Sequence, residues 1–177
     1  MQKSLKLKCQ KIRLVITDVD GVLTDGGRYY SNSGEIFKRF HVRDGMGVNL
    51  LLRNGVNTVI ITKEISKIVN YWAKSMNVSK VYSGAKIKEN ELEKICKIYK
   101  LAPSNIAFIG DDVNDLELMK RVGLSATPYD GIAQAKKVAD YVCKSPGGCG
   151  ALREVADLIL KEKFPHKTKW YWVKFNN

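Results

Sequence analysis

The chain alternates between short apolar runs and longer stretches whose apolar residues recur at helical spacing. IRLVIT, NTVIIT, NIAFIG and ADYVCK are continuous enough to be strands covered on both faces. Between them, spacing predicts helices over about 44–54, 66–76, 89–100, 114–121, 131–137 and 149–162. Pro103 and Ser104 punctuate the approach to NIAFIG, and Pro128 breaks the chain after LSAT. Such alternation predicts an α/β fold, a Rossmann-like parallel sheet with helices on both faces, whose ligands bind beyond the carboxyl ends of the strands. One segment departs from the pattern. GGRYYSNSGEIFKRFHV, residues 26–42, has two β-prone stretches around Ser31-Asn32-Ser33-Gly34, which predicts a β-hairpin projecting from the rim where a ligand would bind.

Composition narrows the class. At 177 residues, with no internal repeat or interdomain linker, the chain reads as one domain over 1–177. No apolar run is long enough to span a membrane, and MQKSLKLKCQ lacks the apolar stretch of a signal peptide, so no membrane is expected. Cys9, Cys96, Cys143 and Cys149 show no CxxC spacing and read as reduced thiols of a cytoplasmic protein. The net charge of +12 is concentrated at the ends. Residues 1–13 and 161–177 supply nine of the twelve, so 1–11 and 161–177 read as solvated basic tails. The ending KTKWYWVKF is expected to dock on a partner subunit rather than on nucleic acid.

The polar residues at the strand ends carry the chemistry. Asp18 and Asp20 follow the first strand, Thr62 ends the second, and Asp111 and Asp112 follow NIAFIG in GDDVND. A parallel sheet brings all of them to one edge, with Lys88 near a helix start. Carboxylates clustered without a cation would partly protonate, and a hard divalent ion relieves them better. Mg²⁺ takes oxygen ligands, one or two carboxylates with a substrate phosphate. No His/Cys cluster competes for zinc, and His41 reads as a surface or hairpin residue. Asp115 also suits the first turn of a helix.

DVDGVLTDG, IIT, Lys88 and GDDVND, in that order, resemble the four motifs of the haloacid dehalogenase superfamily of phosphohydrolases. The resemblance implies that Asp18 attacks phosphorus to form an aspartyl-phosphate. Asp20 would protonate the leaving oxygen and then activate water. Mg²⁺ would sit among Asp18, the Asp20 carbonyl and Asp111, supported by Asp112 and Asp115. Thr62 and Lys88 would hold phosphoryl oxygens. A phospho-receiver domain also sets an Asp, a Thr and a Lys on a parallel sheet, but lacks GDDxxD.

Many relatives carry a cap domain. Asp20 to Thr62 is 42 residues and Thr62 to Lys88 is 26, so no cap domain is expected here. The hairpin and the segment KRVGLSATPYDGIAQAKKVADYVCKSPGGCGALREVADLIL are similar to the capless tetrameric phosphatases of phosphorylated ulosonic acids. That similarity implies a homotetramer whose sites are closed by a neighbour's C-terminal segment. It makes Arg153 a candidate contact for a sugar-acid carboxylate, against a helix-surface ion pair with Glu154 or Asp157. Octulosonate 8-phosphate phosphatases resemble one another in Thr-Gly-Arg after the second strand; here Thr62-Lys63-Glu64 stands there. Lys63 and Glu64 therefore become candidate substrate contacts, and the expected substrate is a nonulosonate (KDN or sialic acid) 9-phosphate. The alternatives are 3-deoxy-D-manno-octulosonate 8-phosphate and, from another class, a non-catalytic oligomerisation domain like that of acylneuraminate cytidylyltransferases.

Overall fold

The computed structural model describes residues 3–166. Six strands form one parallel sheet: β1 (Leu14–Thr17), β4 (Asn57–Ile61), β5 (Lys80–Tyr82), β6 (Ile106–Ile109), β7 (Leu124–Thr127) and β8 (Tyr141–Val142), in spatial order β5-β4-β1-β6-β7-β8. Strands β2 (Tyr29–Ser31) and β3 (Gly34–Phe37) pair antiparallel as a separate hairpin. The helices are α1 (Lys3–Lys11), α2 (Val42–Arg53), α3 (Lys67–Ser75), α4 (Asn90–Tyr99), α5 (Leu116–Arg121), α6 (Ala133–Val138) and α7 (Ala151–Lys163). No cap domain interrupts the sheet, and among the described residues no helix is long and apolar enough to cross a membrane.

Each central strand is apolar throughout because both its faces are covered. Val15, Ile60, Ala107 and Ile109 point to one side, against Val48 and Leu51 of α2, Val69 of α3, and Leu152, Val155 and Ile159 of α7. Leu14, Ile16, Val59, Ile61, Ile106 and Phe108 point to the other, against Leu92 and Ile95 of α4 and Leu118 of α5. The chain runs outward from β1 in both directions, so β1 marks the topological switch point, where a ligand crevice is expected.

Helices α2 and α7 pack closely. A side-chain carbon at Gly47 would crowd the Arg153 backbone at 3.0 Å. The Asp44 carboxylate, fully buried on α2, accepts from Gly150 N at 3.2 Å and Arg153 N at 2.9 Å. It thereby caps α7 from a neighbouring helix, where Gly150 itself has no side chain to do so.

Four elements differ from expectation. Residues 3–11 are not a free basic tail: over Lys3–Lys11 the chain is helical, and Leu5 and Cys9 pack into the core. Residues 161–163, expected in the second tail, are helical, because α7 runs to Lys163. The segment KTKWYWVKF lies outside the described residues. Strands β5 and β7 escaped the pattern, the first because it is a short, partly exposed edge strand and the second because Ser125 and Thr127 interrupt its apolar run. All four cysteines are free thiols.

Candidate active site

Strand β1 delivers Asp18 to the switch point, where its N–H donates to Ile109 O at 3.0 Å. The next residues fold into a tight turn, with Leu23 N and Thr24 N both donating to Val19 O. Val19, Val22 and Leu23 are buried and anchor this turn. Gly21 has φ +87°, and any side chain there would overlap the Asp111 carboxylate. Glycine in DVDG is therefore required twice over, by backbone and by space.

Behind Asp18 lies a fully buried lysine. Lys88 Nζ is 2.8 Å from Asp18 Oδ2 and 2.6 Å from Asp115 Oδ1. Burial works against its charge, but Asp18 and Asp115 outweigh that and hold its pKa above the ordinary lysine value. The second Asp115 oxygen accepts from Asp111 N at 2.9 Å and Asp112 N at 3.3 Å. Asp115 thus shapes the GDD loop and fixes the lysine. It also sits in a capping box with Asp112, whose side chain accepts from Val113 N at 2.7 Å. Both sequence readings of Asp115, site residue and helix start, describe one residue.

The cavity is about 180 Å³ and is lined by Asp18, Asp20, Arg28, Thr62, Lys63, Glu64, Lys88, Asp111, Asp112 and Asn114. Of the sequence-predicted residues, only Asp115, sealed beneath Lys88, and Arg153 do not line it. One oxygen each of Asp18, Asp111 and Asp115 lie within 4.8 Å of one another. Both Asp115 oxygens are already bonded, whereas Asp111 Oδ1 is buried with no hydrogen-bond partner among the described residues. Burial, then Asp18 and Asp115, push the Asp111 carboxyl up to about 8. Burial also raises Asp18; Lys88 pulls it back and Asp115 pushes again, leaving it at about 6. Such a site fits a hard divalent cation, with Asp18 and Asp111 as the available carboxylates.

Asp20, in the same cavity, is held by different bases. Its Oδ1 is 2.6 Å from Lys38 Nζ, and its Oδ2 is 3.6 Å from Arg28 Nη2. Lys38 is almost fully buried and is also paired with Glu35, 2.9 Å away, which in turn accepts from Ser66 Oγ at 3.2 Å. The hairpin root is therefore bonded to the turn after β1 and to the loop after β4. Sequence reasoning missed Lys38, Glu35 and Arg28. The one local signal was the Glu35–Lys38 charge pair three residues apart; Asp20 and Glu64, the other partners, lie outside the hairpin segment. Thr62 is buried, and its Oγ1 accepts from Glu64 N at 3.3 Å. The Glu64 carboxylate pairs with Arg28 at 3.2 Å.

Arg153 is elsewhere. It lines a different hollow with Arg43, Ser145 and Cys149, and its Nε donates to Asp157 Oδ1 at 2.8 Å. Within one chain it is the helix-surface ion pair. His41 caps α2, its Nδ1 accepting from Arg43 N.

The family profile described as haloacid dehalogenase-like hydrolase matches residues 56–151. The 3-deoxy-D-manno-octulosonate 8-phosphate phosphatase of Escherichia coli K12 is 40% identical over 153 residues, 86% of this chain and 81% of its own. The crystal structure of the Yersinia pestis enzyme of that name is 36% identical, with a TM-score of 0.90 over 92% of this chain and 88% of that one. The Moraxella catarrhalis enzyme, solved in complex with magnesium ion, phosphate ion and KDO, is 35% identical, with a TM-score of 0.89 over 92% of this chain and 94% of that one. With the profile spanning more than half of the chain and a relative 40% identical along most of its length, this protein belongs to the haloacid dehalogenase-like hydrolases, as a capless enzyme that cleaves phosphoric monoesters.

Proposed function

We propose that the chain is a Mg²⁺-dependent phosphatase of a phosphorylated ulosonic acid, with 3-deoxy-D-manno-octulosonate 8-phosphate as its substrate. The observation that carries the chemistry is the buried Asp18–Lys88 pair facing a cavity beside the unpaired Asp111 oxygen. The names of the relatives support the eight-carbon substrate over the nonulosonate 9-phosphate expected from Glu64. Glu64 is also less free than that expectation assumed, since Arg28 occupies its carboxylate.

Asp18 attacks phosphorus and carries the phosphoryl group as an aspartyl-phosphate. Its bond to Lys88 holds the attacking carboxylate in one orientation. Asp20, held by Lys38, gives a proton to the leaving oxygen and later takes one from water. Thr62 and Lys88 donate to phosphoryl oxygens. Asp18, Asp111 and the Asp20 carbonyl would hold Mg²⁺, with Asp112 beside its waters. When bound, that ion supplies the positive charge that lets a phosphate dianion approach two carboxylates. Lys63 and Glu64 meet the sugar at the rim.

Assembly completes this reading. Tyr29 stacks on Phe37 at 4.1 Å, and Tyr30 and Ile36 are more than half exposed. Only Phe40 of the hairpin aromatics folds back, onto Trp72 at 4.7 Å. The exposed remainder suits a homotetramer, with a neighbour's C-terminal segment over each site.

Phosphate release with Mg²⁺ across octulosonate 8-phosphate, nonulosonate 9-phosphates and simple sugar phosphates tests the substrate. The highest kcat/KM is expected for octulosonate 8-phosphate. A higher value for a nonulosonate 9-phosphate overturns the carbon count and restores the Thr62-Lys63-Glu64 reading.

A further inference from the structure

We infer that Arg28, at the root of the hairpin, is a specificity-determining residue that reads a hydroxyl on the leaving group next to the scissile ester oxygen. The inference rests on the phosphatase reading above and goes beyond it in naming the group that selects polyol phosphates. Three positive side chains line the cavity: Arg28, Lys63 and Lys88. Lys88, held between Asp18 and Asp115, is already assigned to the phosphoryl oxygens. Arg28 is fixed in place, with Nη2 at 3.2 Å from Glu64 Oε1 and 3.6 Å from Asp20 Oδ2 and Nη1 donating to Tyr30 Oη at 3.3 Å. Its side chain keeps 36% of its surface open. A guanidinium has five N–H donors, so these contacts leave donors free toward the cavity.

The place of Arg28 follows from Asp20. The leaving oxygen must come within about 2.6–3.2 Å of the carboxylate that protonates it. The next carbons of the leaving alcohol then lie beside the guanidinium that already touches Asp20. A hydroxyl on those carbons meets a donor in Arg28 and an acceptor in Glu64, two groups that hold each other in position. A vicinal diol offers both functions at once. An alkyl or aryl alcohol offers neither and displaces water from the half-exposed pair without replacing its hydrogen bonds, a mismatch that costs affinity.

The test compares kcat/KM on glycerol 3-phosphate and propyl phosphate, which differ only in the diol, and on octulosonate 8-phosphate and phenyl phosphate. Wild type, R28A and R28K are measured with Mg²⁺. Wild type is expected to prefer glycerol 3-phosphate to propyl phosphate. In R28A that ratio should collapse by about 10–100-fold, and R28K, which keeps charge without the fork, should recover part of it. A melting temperature for R28A within about 3 °C of wild type excludes a folding defect. Equal losses on both esters would make Arg28 only a support for Asp20 and overturn the inference, as would an unchanged ratio or a wild type indifferent to the diol. Octulosonate 8-phosphate turned over no better than phenyl phosphate would sink the proposed function alone, while the glycerol and propyl pair would still decide Arg28.

Discussion

Lys88 Nζ lies 2.6 Å from Asp115 Oδ1, and neither side chain reaches solvent. The lysine also neutralises Asp18, so one ammonium serves two buried carboxylates. Removing it leaves both uncompensated. Lys88→Met is expected to lose about 3–5 kcal/mol of stability in EDTA and to lose turnover. Urea denaturation and phosphate release check the two effects. A variant of wild-type stability would mean that the carboxylates protonate or open to water at little cost.

Asp18→Asn keeps a side chain of the same shape that can still accept from Lys88. The fold should survive and turnover should fall at least about a thousandfold, because an amide oxygen is a poor nucleophile. Phosphate release measures the loss, and circular dichroism controls for the fold. Near-normal activity would remove Asp18 as the attacking group.

Metal removal has a signed pH dependence. The Asp111 carboxyl is raised to about 8 from an unfolded value near 4, so in EDTA its contribution is present below about pH 4 and lost as pH rises through about 8. Asp18, raised to about 6, acts in the same direction. The melting temperature in EDTA should therefore fall from pH 5 to pH 8. Mg²⁺ at a fixed concentration a hundred times its Kd at pH 8 should restore about 2.7 kcal/mol there, and less at pH 5, where protonated carboxyls bind it more weakly. Asp111→Asn should flatten the slope and blunt the Mg²⁺ response. A melting temperature in EDTA that climbs over this range would contradict the assignment.

The hairpin carries the assembly prediction. Light scattering at micromolar concentration should give a tetramer, and Phe37→Ser with Ile36→Ser should shift it toward smaller species by removing apolar contact. A fully active wild-type monomer would refute both the assembly and the closure of each site by a neighbour.

The parts legible in the sequence are those whose cause is local. Leu14–Thr17 and Ile106–Ile109 read as strands because both faces are dry, and that alone makes the run apolar. Asp18, Thr62 and Asp111 were found because each follows the carboxyl end of such a strand. Strand β7 was hidden because its buried Ser125 finds a distant partner: Ser125 N donates to Asp140 Oδ2 at 3.0 Å, and Asp140 N donates back to Ser125 Oγ. Helix α1 was hidden because lysines dominate it, and its contacts with α7 and β7 reveal which face is dry. Lys38 and Arg28 were invisible for the same reason. Their meaning lies in Asp20 and Glu64, and no spacing rule links a hairpin root to a loop after β4.

The cap that Asp44 places on α7 fixes when the enzyme is finished. Asp44 precedes Gly150 by 106 residues, an interval of roughly 5–20 s at ordinary rates of synthesis. Until α7 arrives, Val15, Val48 and Leu51 have one wet side, and the Asp44 carboxylate has no amide to meet. The catalytic turn waits on the same event, because Gly148 N, just ahead of α7, donates to Val22 O at 3.0 Å. A chain that ends before Gly148 lacks this clasp on the turn after Asp18, and it is expected to release less phosphate than the chain that carries α7.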